Sequence, residues 1–127
     1  MFETESHTGS PIYHTDVLMY VGTSAIGICY EVIKPEYRDL VKERVERFHD
    51  VIEIKKEQLL NFCGNCLEIP DKDGNLLLAM STTAFNAYTE LQKEKIEKHF
   101  KKIVHSDIST IEKYGGGSAR CMLAELF

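Results

Sequence analysis

An α/β fold of repeated hairpin–helix–strand units is the architecture this 127-residue chain predicts. Apolar runs of strand length come in pairs bridged by turn residues: 17–21 with 25–33 across Gly22-Thr23-Ser24, and 66–69 with 76–80 across Asp71-Lys72-Asp73-Gly74-Asn75. A segment of helical period and one more short apolar run follow each pair. The order recurs after roughly fifty residues, a spacing typical of repeat architectures.

The first unit begins with the strand at 17–21 and returns over 25–33. Pro35 opens a helix at a position where its missing amide donor is not needed. Tyr37, Leu40, Val41, Val45 and Phe48 share one apolar face, with Arg38, Lys42, Glu43 and Glu46 outside. Residues 51–54 form a short strand. In the second unit residues 56–62 make a short helical turn before the hairpin. Ser81 caps the following helix, and Thr89-Glu90-Leu91-Gln92 has capping-box form, so a helix restarts there and runs to about Lys101. Residues 102–105 supply the next strand, and 120–125 read as the opening strand of a third copy. Asp16, Asn65 and Cys121 hold equivalent places at the mouths of the hairpin strands. In a closed ring of such units they converge on one central cavity.

Composition narrows the function. Hydrophobic residues make up 43% and charged residues 28%, ordinary for a soluble globular domain. A net charge of −5 argues against nucleic acid, which calls for a basic face. No apolar run reaches the length of a membrane span, and the polar, acidic start is unlike a signal peptide, so the cytoplasm is expected. Reduced thiols are the default there for Cys29, Cys63, Cys66 and Cys121. Cys63 and Cys66 have the spacing of half a zinc site, but no second pair completes it. His49 and His105 stand alone, so the two cysteines read as core thiols and no metal is expected.

The C-terminal segment carries the chemistry. Gly115-Gly116-Gly117 lets the backbone bend tightly. Arg120 and Cys121 follow, and a thiolate is stabilised beside a fixed positive charge. A glycine loop feeding an edge strand with a buried Cys121 accounts for the same residues. Near the other end, an extended 13–17 segment turns His14 and Asp16 to one side, a proton-transfer group beside a carboxylate. Taken alone, His14 also fits a half-buried histidine at a strand edge. Arg120 fits equally a partner of the thiol, a partner of a substrate carboxylate or a surface ion pair. Asn65, beside Gly64, fits turn geometry better than substrate contact.

Three stretches, GSPIYHTDV at 9–17, GNCLE at 64–68 and IEKYGGGSARCMLAELF at 111–127, resemble the arginine deiminase, amidinotransferase and dimethylarginine dimethylaminohydrolase superfamily. The resemblance is closest to its arginine-deiminase-related, citrulline-hydrolysing branch and covers nearly the whole chain. It implies ββαβ modules of a five-module α/β propeller (pentein), with about half of the ring present. Residues 1–127 would then be the C-terminal portion of one catalytic domain. The resemblance also implies a cysteine-dependent hydrolase of the guanidino or ureido C–N bond of arginine- or citrulline-like substrates. Cys121 would be the nucleophile and His14 the proton shuttle, with Asp16, Arg120 and Asn65 as substrate contacts and no cofactor.

Asp16 stands where many members of the citrulline-hydrolysing branch have asparagine. A carboxylate suits a cationic guanidino group better than a neutral ureido group. Nothing in residues 1–8 resembles the acidic substrate residues that the family takes from earlier modules. Self-association or pairing with an N-terminal half is therefore expected. The other outcome is a truncated remnant that binds an amino acid or a partner chain without catalysis.

Overall fold

Two three-stranded sheets of the same topology follow one another along the chain. The structure, a computed structural model, describes residues 14–115 and 117–123. In the first unit a helical turn, α1 (Thr15–Leu18), leads into β1 (Met19–Val21), β2 (Ala25–Ile28), helix α2 (Pro35–Glu46) and β3 (Asp50–Glu53). In the second, α3 (Lys56–Leu59) precedes β4 (Leu67–Pro70) and β5 (Leu76–Ser81). Helices α4 (Thr82–Ala87) and α5 (Glu90–Glu97) then lead to β6 (Lys102–Ser106). Helix α6 (Ser109–Gly115) and the single turn α7 (Ala119–Met122) follow. Each sheet is an antiparallel hairpin with a third strand laid parallel to its second, in the orders β1-β2-β3 and β4-β5-β6. The repeated hairpin–helix–strand order is thus present in both units.

Local chemistry explains the boundaries. Pro35 sits in the first turn of α2. Ser81 accepts the Ala84 amide at the start of α4, and Thr89 and Gln92 form the reciprocal cap of α5. At the second hairpin, Asp71 accepts the amides of Asp73 and Asn75, and Gly74 takes the left-handed conformation (φ 82°) that closes the turn.

The elements depart from expectation at several points. Residues 17 and 18 lie in α1, not in a strand, because the Val17 amide turns back to the His14 carbonyl. Strand β2 ends at Ile28, where β3 runs out of partners. Tyr30–Val32 then wind into a 3-10 turn. Leu40 and Phe48 are exposed, and Phe48 lies past the end of α2, so the buried face is narrower than the spacing suggests. Arg38 turns inward and donates to the Ile33 carbonyl at 2.9 Å. Helix α5 stops at Glu97, short of Lys101. Residues 119–122 are helical where a third strand was expected, and 124–127 lie outside the described residues.

One apolar cluster spans both units, with Leu18, Tyr20, Ile52 and Ile54 from the first and Cys63, Cys66, Leu78, Ile96 and Phe100 from the second. Polar bonds fix how the units meet. The Thr23 amide and hydroxyl both donate to the Glu68 carboxylate, at 2.8 and 2.6 Å. Ser24 Oγ shares a 2.8 Å hydrogen bond with His99 Nδ1, whose Nε2 meets Asp50 Oδ2 at 2.9 Å. No helix among the described residues is long and apolar enough to cross a membrane.

Candidate active site

Three segments far apart in sequence meet at a hollow of about 320 Å³ lined by His14, Asp16, Val17, Leu59, Phe62, Asn65, Gly117 and Cys121. Two larger hollows, of about 520 and 430 Å³, lie elsewhere. The smallest of these three is the one that gathers Cys121, His14, Asp16 and Asn65.

Cys121, in α7, is the exposed cysteine; Cys29, Cys63 and Cys66 are buried. Its Sγ lies 3.3 Å from Asn65 Nδ2, which is placed to donate to it, and 3.5 Å from Asp16 Oδ2. Asn65 is nearly buried, and its carboxamide holds all three segments. Nδ2 also donates to the Asp16 carbonyl at 3.2 Å, and Oδ1 accepts the Arg120 amide at 3.0 Å. Asp16, Asn65 and Cys121 therefore lie together, although Cys121 sits in a helical turn rather than at the mouth of a third hairpin. His14 is extended (φ −115°, ψ 125°) and Asp16 sits in the helical turn after it, so a turn brings both to the hollow rather than strand alternation.

Arg120 is placed differently from the other candidates. Its guanidinium donates to the Met19 carbonyl at 3.2 Å and lies outside the lining of the hollow. Cys63 and Cys66 are core thiols. Cys63 donates to the Ala84 carbonyl and Cys66 to the Cys63 carbonyl. Burial pushes the Cys63 thiol up to about 12 and raises those of Cys66 and Cys29 as well, which makes all three inert beside an exposed thiol. Among the described residues no group of three or more His, Cys, Asp or Glu side chains is placed to hold a metal ion.

Other supporting residues escaped the sequence reading. Phe62 has φ 64°, rare for a bulky side chain, and its carbonyl accepts the Asn65 amide at 2.9 Å. A Cβ on Gly64 would run into the Val17 carbonyl, so only glycine lets α1 approach Asn65. A Cβ on Gly117 would crowd the Cys121 sulfur. Glu112 accepts hydroxyl bonds from Ser118 and Thr83. The glycines were visible as letters, but their neighbours were not.

Among solved structures the chain resembles ArgZ, an arginine dihydrolase from the ornithine-ammonia cycle in Cyanobacteria. The TM-score to apo ArgZ is 0.66 at 18% identity, over 93% of this chain and 16% of that one. The N-terminal domain of ArgZ bound to substrate matches with a TM-score of 0.64 at 18% identity, over 85% of this chain and 36% of that one. The same domain bound to product matches at 0.63 and 20% identity, over 86% and 36%. The chain thus spans 36% of the ArgZ N-terminal domain and 16% of the longer ArgZ chain. No curated protein matches it. A family match over the whole chain makes it a member of the guanidino-modifying pentein superfamily. More narrowly, the model of the eukaryotic N,N-dimethylarginine dimethylhydrolases matches residues 1–127, and the chain belongs to that family.

Proposed function

We propose that residues 1–127 are the C-terminal catalytic portion of a hydrolase that breaks a C–N bond at the guanidino or ureido carbon of an arginine-like amino acid. The reaction runs through a covalent intermediate on Cys121. The observation that carries this reading is the exposed thiol held beside Asp16 and Asn65 on a hollow that His14 also lines. Family membership supports the substrate class. The N-terminal domain of ArgZ has been seen covalently bound to a reaction intermediate, which supports the covalent route.

The trigonal carbon of a guanidinium is weakly electrophilic, so the attacker is the thiolate. Sulfur adds to that carbon, a C–N bond breaks, and His14 as imidazolium gives its proton to the departing amine. Neutral His14 then takes a proton from water, whose oxygen attacks the carbon still bonded to sulfur. The C–S bond breaks, the ureido product leaves and the thiolate returns. An imidazole can serve both directions, giving a proton in one step and taking one in the next. Asn65 Nδ2 is aimed at the sulfur. Asp16 is placed to hold the N–H groups of a cation, so arginine or its dimethyl derivative is preferred over citrulline. Arg120 contributes by holding α7 on β1.

In this reading the chain is about half of a five-module ring, and an N-terminal half supplies the remaining substrate contacts. The apolar hollow lined by Ile69, Met80, Val104, Ile108, Met122 and Leu123 supports a docking place for it. Three free, buried thiols suit the reducing cytoplasm expected from the sequence.

Two measurements test the proposal. Iodoacetamide at neutral pH should label Cys121 well before Cys29, Cys63 and Cys66; uniform labelling of folded protein removes the nucleophile assignment. Joined to or mixed with N-terminal modules, the chain should release dimethylamine from dimethylarginine or ammonia from arginine. Turnover that survives Cys121→Ser overturns the covalent route.

A further inference from the structure

We infer that Glu112 is a positioning residue for the Cys121 thiol, acting through Ser118. The inference rests on reading Cys121 as the nucleophile. Glu112 is 8% exposed and Ser118 fully buried. Ser118 Oγ donates to Glu112 Oε1 at 2.6 Å, and Thr83 Oγ1 donates to Oε2 at 2.8 Å. A buried carboxylate on α6 thus joins the turn that carries the thiol to the start of α4.

The cap of α7 shows what this bond replaces. Ser118 stands at the N-cap, where a serine hydroxyl ordinarily accepts an amide of the first turn. Here it makes no such bond. The Arg120 amide is taken by Asn65 Oδ1 instead, and the Cys121 amide by the Ser118 carbonyl at 3.1 Å. The hydroxyl is left free for Glu112. Two side chains from different parts of the fold therefore hold this single turn, Asn65 at the Arg120 amide and Glu112 at Ser118. A four-residue helix has little stability of its own, so its orientation depends on these two braces together with the Arg120 guanidinium on the Met19 carbonyl.

Removing the carboxylate strands two hydroxyls and releases the N-terminal end of the turn, leaving Asn65 and the Arg120 guanidinium to hold the rest. The sulfur then no longer rests beside Asn65 Nδ2 and Asp16. Displacement of a reacting group by about an ångström costs on the order of a hundredfold in rate. Glutamine keeps both contacts, since its carbonyl accepts one hydroxyl and its amide donates to the other.

The test uses Glu112→Ala, Ser118→Ala and Glu112→Gln in the full chain. Each is read by the rate of Cys121 alkylation with iodoacetamide, mapped by mass. The two alanine variants should slow Cys121 at least about fivefold, and the glutamine variant should stay within about twofold of the unsubstituted chain. Cys29, Cys63 and Cys66 report folding in the same experiment, because they remain unlabelled while the core holds. If Glu112→Ala exposes them, Ser118→Ala, which leaves the Thr83 bond intact, decides the matter. In the assembled enzyme, kcat should fall by tenfold or more with KM within about threefold, and Gln should restore it. Folded alanine variants that react like the unsubstituted chain overturn the inference, as does a glutamine variant that behaves like alanine. Absence of turnover in the unsubstituted assembly strikes the proposed function instead and leaves the alkylation comparison standing.

Discussion

The carboxylate of Asp16 lies 3.5 Å from the Cys121 sulfur, and under the proposed function its charge selects the substrate. Asp16→Asn should weaken arginine-like substrates far more than citrulline-like ones, by tenfold or more in kcat/KM. A charge-assisted hydrogen bond is worth about 1.5–3 kcal/mol. Equal losses on both substrates would mean that Asp16 acts on the fold rather than on the guanidinium. At this scale the sequence was informative where a residue meets the hollow directly. His14, Asp16, Asn65 and Cys121 lie in recognisable motifs, and all line it. For Arg120, adjacency to Cys121 says nothing of direction. In a helical turn successive side chains diverge, and this one reaches Met19. Glu112 was not legible at all, since its partners Ser118 and Thr83 lie 6 and 29 positions away.

Between elements, the Ser24–His99–Asp50 chain of hydrogen bonds ties the first hairpin turn to the end of α5 and the start of β3. The hydrogen bond from His99 holds the Asp50 carboxyl below its ordinary range, and Lys95 adds to the effect. A group whose folded value is depressed stabilises the fold above its unfolded value near 3.9 and ceases to do so as pH falls through the folded value. Asp50→Asn should therefore lower the urea midpoint at pH 7. The difference should shrink as pH falls from about 4 toward 2, and a gap unchanged over that window would refute the linkage. Elements with local signals, such as Pro35, Ser81, and Thr89 with Gln92, were placed well because a cap or a fixed φ needs no distant partner. Strand ends were placed poorly because they depend on register. The apolar run 25–33 continues after Ile28, but β3 stops pairing there. The glycine-rich tail looked extended and is instead helical at 119–122, where Asn65 takes one of its amides.

For the whole molecule, the repeat was legible because each unit repeats its own hairpin and crossover. How the units pack on each other was not, for that joins residues far apart in sequence. The chain covers 36% of the ArgZ N-terminal domain, and an apolar hollow of about 430 Å³ reaches α7 itself, at Ala119 and Met122. Apolar ground of this kind recruits another chain. The isolated protein should therefore sediment as a self-associated species or bind N-terminal modules. A monodisperse monomer with ordinary turnover would show that the site is already complete.

One bond offers a way to watch the site without any substrate. The Arg120 amide donates to a side-chain oxygen 55 positions away, so its proton is shielded only while residues 65 and 120 are docked. In native-state hydrogen exchange that single amide should behave as a gauge of site assembly. Its protection factor gives the free energy of releasing the thiol-bearing turn, separately from that of unfolding the core. A partner that completes the site should slow the exchange of this proton, and one that merely covers apolar surface should leave it unchanged.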